Sequence, residues 1–207
     1  YHSDFKIRIY MNKEYEDYPQ HWHTDSEIIM PVENAYKVIV DEKIYNLNVG
    51  DIIIIPSGEL HQIHALPTGR RIIMQFDNTM LYSIDDFSSI FHMFYPCVLV
   101  TPSSMPNIHK ELSALILNMA TEYFSTLALR EASVYSMLIR FFIVIGRNYR
   151  NKNDEFSNIK NEKQQDHIKL IVNVCNYINE HYTENIKMDD IANIAGFSKF
   201  PFARLFK

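Results

Sequence analysis

The hydrophobic pattern changes its period near the middle of the chain. Up to about residue 100, short apolar segments rich in β-branched and aromatic residues alternate with turn signals such as Val49-Gly50-Asp51 and Pro67-Thr68-Gly69. This pattern predicts β-strands over 5–10, 27–31, 35–41, 43–47, 51–55 and 70–77. Short strands at this spacing are typical of an antiparallel sandwich or barrel.

After residue 106 the apolar positions recur every three or four residues, which predicts helices over 107–124 and 127–149. A short break between them makes a helical hairpin. Its wide apolar stripes predict a homodimer interface, although packing against the β-rich part would produce the same stripes. The polar segment 151–166 predicts a linker, and a third helix is expected over 168–182.

The last 22 residues predict a helix-turn-helix. Met188, Ile191, Ala192 and Ala195 predict a short helix with one buried face, and Gly196 suits the turn that ends it. Ser198 is a good N-cap for a second helix, which carries most of the positive charge of this segment. A merely structural helical hairpin is the alternative interpretation.

The segment 21–27 holds the most informative polar residues of the first half. His21, His23 and Glu27 would share one face if the segment were a strand, and His61 follows a Pro-Ser-Gly turn and is expected to begin a further strand. Two or three imidazoles with a carboxylate suit a divalent metal such as Zn, Ni, Mn or Fe. The alternative is that these side chains bind no metal and hydrogen-bond an effector or each other.

These two segments together resemble the paired motifs of the cupin superfamily. The residues that carry the resemblance are His21, His23, Glu27, Gly50, Pro56, Gly58 and His61. Two departures are Asn34, where the first motif usually ends in Gly, and Ala65, which occupies an Asn position of the second. The resemblance implies a small β-barrel with the four ligands pointing inward. Further residues expected to line that space are Trp22 at its mouth, Ile29, Tyr36 and Gln75.

The C-terminal segment is similar to the first helix-turn-helix of AraC/XylS-type transcription regulators, and 168–182 matches the helix that precedes it there. The resemblance implies that Phe200, Ala203 and Arg204 face DNA bases and that Lys199 lies near phosphate. Lys187 and Pro201 depart from the family pattern. Members usually carry two such units, so we expect that the DNA-binding domain is truncated after its first helix-turn-helix.

Charge and composition support a division of roles. The apolar share of 47% is typical of a globular protein. The net charge is −5, but residues 1–100 carry 7 Lys and Arg against 14 Asp and Glu, whereas 187–207 carry 4 against 2. Contact with nucleic acid is therefore expected only at the C-terminal end. No apolar run reaches the length of a membrane span, no signal peptide is visible, and the two cysteines match no disulfide or metal spacing, so a cytoplasmic protein is expected.

The combined prediction is an α+β protein with four regions. They are a cupin-like antiparallel β-barrel for effector or metal (1–105), a dimerising helical hairpin (106–150), a linker (151–166) and a partial helix-turn-helix domain (167–207). The expected function is a homodimeric, ligand-responsive regulator that binds double-stranded DNA and a small effector, without enzymatic activity and without a membrane partner. The alternative is a metal-dependent cupin enzyme of the dioxygenase or isomerase type.

Overall fold

The structure is a computed structural model, and it describes residues 6–13, 17–64, 68–78, 81, 84, 87, 92–152, 174, 177, 178 and 181–195. The chain divides into two compact units, Tyr1–Ser157 and Asn158–Lys207.

The first unit is built on two antiparallel sheets, as predicted. The described strands are β1 (Ile7–Asn12), β2 (Tyr18–His21), β3 (Ser26–Pro31), β4 (Tyr36–Val40), β5 (Lys43–Leu47), β6 (Ile52–Ile55), β7 (His61–His64), β8 (Arg71–Phe76) and β9 (Val98–Val100). One sheet has five strands in the order β1-β8-β3-β6-β9, and the other has four in the order β2-β7-β4-β5. Strands β2 and β9 were not among the predicted segments.

Two long helices follow the strands and pack on each other. Helix α1 spans Pro106–Tyr123 and helix α2 spans Arg130–Lys152, preceded by a short 3₁₀ helix over His92–Phe94. Pro106 suits the first turn of α1 because its missing N–H would have no helical partner there. The turn between the helices ends at Leu129, which adopts a φ of 61°. The α+β class is confirmed.

The central strands of the five-stranded sheet, β3, β6 and β8, are buried on both faces. One face packs against the helices through side chains such as Ile28, Ile54 and Phe142. The opposite face packs against the four-stranded sheet through side chains such as Ile29, Ile53 and Val38. A strand that is buried on both sides needs no polar face, which explains the unbroken run of four isoleucines in β6.

The two turn residues singled out by the motif comparison have the expected conformations. Gly50 has a φ of 84°, in the left-handed region that favours glycine. Asn34 has a φ of 61°, and its side-chain amide donates to the carbonyl and hydroxyl oxygens of Thr68 at 3.0 Å. Asparagine therefore keeps the turn in which the family motif usually has glycine.

The second unit is described only in part. Helix α3 spans Met188–Ile194, and Asp190 accepts a hydrogen bond from the backbone N–H of Lys187 at its start. Val174, Ala192 and Ala195 are buried together, as expected of a helix packed on α3. Met188 is 42% exposed, so its assignment to the buried face was wrong. The predicted second helix of the helix-turn-helix lies outside the described residues.

Candidate metal and ligand site

Three histidines meet where the two sheets approach each other. His21 ends β2, His61 begins β7, and the two are directly paired across these strands. His23 lies in the segment that leads from β2 of one sheet into β3 of the other. One ring nitrogen from each of the three lies within 4.8 Å of the others. The structure therefore brings together the three imidazoles that the motif predicted.

The reason for the convergence differs from the predicted one. We expected His21, His23 and Glu27 to share one face of a single strand. Instead the chain leaves one sheet after His21 and enters the other at Ser26, so Glu27 approaches His21 and His23 from the opposite sheet. A corner between two sheets, rather than period-two alternation, places the group.

Backbone carbonyl groups fix the orientation of all three rings. Each Nδ1–H donates to the carbonyl oxygen of a residue two positions away, at 2.7 to 2.8 Å: His21 to Pro19, His23 to Asp25 and His61 to Glu59. Nε2 is then the nitrogen that each ring presents to the cluster. This is the arrangement that metal-binding histidines adopt, because the second nitrogen is usually held by a hydrogen bond.

Glu27 completes one side of the cluster. It is 1% exposed, and its Oε2 accepts hydrogen bonds from His23 Nε2 at 2.9 Å and from Gln75 Nε2 at 3.0 Å. Nε2 of His61 lies 3.9 Å from the same oxygen. Among the described residues, neither His61 Nε2 nor Glu27 Oε1 has a hydrogen-bond partner, although both are buried. Buried polar atoms left unsatisfied in one small region indicate space for a further group.

The charges within the cluster are coupled. Burial lowers the pKa of His23, but the hydrogen bond to Glu27 and the charge of Glu27 outweigh burial, so the pKa of His23 is raised. Burial raises the pKa of Glu27, but His23, His61 and Gln75 together lower it. Burial also lowers the pKa of His61. His23 and Glu27 therefore form an imidazolium–carboxylate pair, with both ring nitrogens of His23 donating to oxygen.

The donor set fits a divalent transition metal. Three neutral Nε2 atoms and one carboxylate oxygen are ligands that Zn, Ni, Mn and Fe accept. A metal would satisfy the unpaired Nε2 of His61 and would replace the proton of His23 as the partner of Glu27. When bound, it would polarise an oxygen ligand on its open side.

A cavity of about 660 Å³ opens beside the cluster. Three predicted site residues, His21, Glu27 and Gln75, form part of its wall. The rest comes mainly from the edge strands β1 and β2 and from the end of α1: Ile9, Tyr10, Met11, Asn12, Tyr18, Ile63, Ile73 and Phe124. Its volume lies within the range of small-molecule sites.

Three other predicted ligand-binding residues, Trp22, Ile29 and Tyr36, do not form part of the cavity wall. Trp22 is 46% exposed beside the cluster. Ile29 and Tyr36 are buried between the sheets, where the Tyr36 ring stacks on Arg71 with the guanidinium carbon 4.5 Å from the ring centroid. The predicted DNA-binding residues Lys199, Phe200, Ala203 and Arg204 lie outside the described part of the chain.

Sequence reasoning missed the wall that β1, β2 and Phe124 provide. In β1 the polar or amphipathic residues Arg8, Tyr10 and Asn12 alternate with apolar ones. This alternation could have indicated that one face of β1 lies outside the hydrophobic core and is available to line a cavity. Phe124 had no such signal, because its place beside the cavity depends on how the helical hairpin packs on the sheet.

Known proteins share parts of this architecture. Residues 10–70 match the Cupin domain model. The AraC-like transcriptional activator CuxR has a similar structure, with a TM-score of 0.58 and 11% identity over 98% of this chain and 70% of CuxR. The K231A variant of ToxT from Vibrio cholerae has a TM-score of 0.58 and 11% identity, over 96% of this chain and 72% of ToxT. ToxT from V. cholerae O395 has a TM-score of 0.56 and 11% identity, over 97% of this chain and 72% of its own. No curated protein sequence matches the chain.

These comparisons establish the fold. The chain has a cupin-like β-region followed by helices, and its fold is similar to those of these solved AraC-like structures. At 11% identity the likeness does not extend to function. None of the described helices is long and apolar enough to cross a membrane.

Proposed function

We propose that this protein is a ligand-responsive DNA-binding transcription regulator. The observation that carries the proposal is the likeness to AraC-like regulators along 96% to 98% of the chain, which includes the helical part as well as the cupin-like part. A cupin enzyme has no need of the C-terminal segment. The proposal places the protein in the cytoplasm with DNA as its partner.

Each region has a role in this proposal. A small effector binds in the cavity beside the histidine cluster, and the cluster holds a divalent metal. The hairpin of α1 and α2 forms a homodimer, which would place two DNA-binding units on spaced half-sites. Lys199, Phe200, Ala203 and Arg204 contact DNA. The effector changes DNA binding only if it binds the DNA-binding conformation and the inactive conformation of the regulator with different affinities.

The second candidate is a metal-dependent cupin enzyme. The observation that favours it is the convergence of three Nε2 atoms and a carboxylate beside an open cavity. A bound redox-active metal ion with an open coordination position would support this hypothesis. We favour the regulator because the enzyme hypothesis leaves the helix-turn-helix pattern unexplained, and we expect no enzymatic turnover.

The test is DNA selection with the protein expressed from its complete gene. We expect recovery of a sequence motif and a gel shift at physiological salt, since affinities for DNA depend strongly on salt. Arg204→Ala should relax the preference at one position and weaken binding about tenfold or more, because a good side-chain contact to a base edge contributes roughly 1–3 kcal/mol. Lys110→Ala, an exposed residue of α1, is the charge-matched control. Absence of sequence-selective binding would contradict the regulator proposal.

A further inference from the structure

The wall of the cavity beside the histidine cluster combines two kinds of side chain. The ring of His21, the carboxylate of Glu27 and the amide of Gln75 form its charged and strongly polar part. The remaining wall is mostly apolar or aromatic, with Tyr10, Tyr18 and Phe124 as its largest side chains. Outside the cluster only Asn12 and the hydroxyl groups of Tyr10 and Tyr18 offer polar partners, so an apolar body would be covered by most of the remaining wall.

From this arrangement we infer that the cavity takes an amphipathic small molecule, and that Phe124 of the helical hairpin contacts its apolar body. The oxygen-bearing head of the molecule lies against the histidine cluster. The inference rests on the proposed effector-binding function and specifies the chemical class of the effector. It disfavours a uniformly hydroxylated effector such as a sugar, which would leave hydroxyl groups against apolar side chains such as Ile63, Ile73 and Phe124.

Phe124 is well placed for this role. It is 58% exposed, so its ring has apolar surface that a bound molecule can cover. It follows directly on the last turn of α1, where its backbone N–H donates to the carbonyl of Ala120. Its ring meets that of Tyr123 edge to face, with the centroids 5.1 Å apart. The position of the ring is therefore set by a helix that is anchored in the core.

The residues after Phe124 are also held in place. The guanidinium of Arg130 at the start of α2 donates to the carbonyl oxygen of Ser125 at 2.7 Å. A molecule that covers Phe124 therefore touches the β-region and the connection between α1 and α2 at the same time. This contact would link occupancy of the cavity to the hairpin that we propose to form the dimer.

The inference is tested with a matched pair of hydroxamates, acetohydroxamate and benzohydroxamate, which share a metal-chelating head and differ in the apolar body. Binding is measured by calorimetry with and without saturating Zn²⁺, and by the fluorescence of Trp22, the one tryptophan of the chain. Burial of an aromatic ring should make benzohydroxamate bind about ten- to a hundredfold more tightly. A ratio below about twofold, or no binding in either condition, would overturn the inference.

Two substitutions at the hairpin turn separate the role of Phe124 from a general effect on the turn. Phe124→Ala should lower the ratio of the affinities for benzohydroxamate and acetohydroxamate at least about threefold and leave the affinity for acetohydroxamate unchanged. Phe124→Tyr should retain the ratio. Leu127→Ala is the control, since Leu127 is 64% exposed and does not border the cavity. Equal losses in Phe124→Ala and Leu127→Ala would overturn the role of Phe124.

A polyhydroxylated probe completes the experiment. Ribose should bind more weakly than benzohydroxamate, and the reverse order would contradict an apolar body in the cavity. All these titrations contain no DNA. A protein that prefers benzohydroxamate yet selects no DNA sequence would refute the regulator proposal alone, and a protein that selects DNA but lacks the preference would refute this inference alone.

Discussion

The two faces of the five-stranded sheet have different chemistry, although the same strands form both. Toward the helices, β3 contributes Ile28 and Met30 to the large hydrophobic core. Toward the other sheet, β3 contributes Ile29 and the charged Glu27. Because side chains of a strand alternate between its two faces, β3 contributes both to the hydrophobic core against the helices and to the candidate binding site between the sheets. A sheet can therefore retain a buried carboxylate on one face while its opposite face supplies the stability.

The largest expected effect comes from the apolar face. Phe142 is fully buried and contacts the rings of Phe76, Phe94 and Phe141 at centroid distances of 5.4 to 5.8 Å. Phe142→Ala should lower the free energy of unfolding by about 3–5 kcal/mol, since truncation leaves a cavity. Urea denaturation measures the change. Leu129→Ala, at an 82% exposed site, should change it by less than about 0.5 kcal/mol.

The binding face is tested by removing one metal ligand. His61→Ala should weaken Zn²⁺ binding about a hundredfold or more, because a directly coordinating nitrogen is lost and effects of ten- to a hundredfold are already typical of residues that only orient ligands. Competition with a calibrated chelator measures the affinity. His64→Ala is the matched control, because His64 lies on the same strand but its Nδ1 faces Asp17 at 3.4 Å. Equal affinities of the His61 and His64 variants would contradict the assigned ligand set.

Competition between protons and Zn²⁺ for His23 gives a second test of the binding face. The pKa of His23 is raised above its ordinary value of 6.5, mainly through Glu27, so this ring keeps its second proton to a higher pH than a free imidazole does. Zn²⁺ must displace that proton, so its affinity should fall as pH is lowered, by about tenfold per pH unit below the pKa of His23. Zn²⁺ titrations between pH 8 and pH 6 measure this slope. A pH-independent affinity across that range would exclude His23 as a ligand.

The smallest expected effect lies in a turn. Asn34→Ala should destabilise the protein by about 1–2 kcal/mol, because alanine resists the left-handed conformation and loses the hydrogen bonds to Thr68. Asn34→Gly removes only the side-chain contacts and should cost less. Thermal unfolding ranks the stabilities of the two variants. An Asn34→Ala variant that is more stable than Asn34→Gly would contradict the turn assignment.

Local pattern was sufficient for much of this fold. Period-two segments and turn residues predicted most strands, and the helical period predicted α1 and α2 to within a few residues. Strand β2 was missed because its sequence, Tyr-Pro-Gln-His, lacks apolar alternation and forms a sheet edge. Strand β9 is only three residues long. Such edge strands are defined by their pairing partners rather than by their own residues.

The site was predictable as a set of residues but not as an arrangement. Motif spacing identified His21, His23, Glu27 and His61, whereas the corner that joins them depends on where β2 ends and β3 begins. The position of Phe124 depends on the packing of α1 against the sheet, which involves contacts between residues far apart in sequence. Spacing carries no information on such contacts.

The central claim is that the face of the five-stranded sheet directed toward the four-stranded sheet is built as a metal and ligand site. Its most direct test is the metal content of the purified protein, determined by mass spectrometry beside a His21→Ala/His23→Ala variant. We expect near-stoichiometric Zn, Ni, Mn or Fe in the unsubstituted protein and none in the variant. Absence of metal from both would contradict the metal site and would leave the histidines as hydrogen-bonding groups for a polar effector.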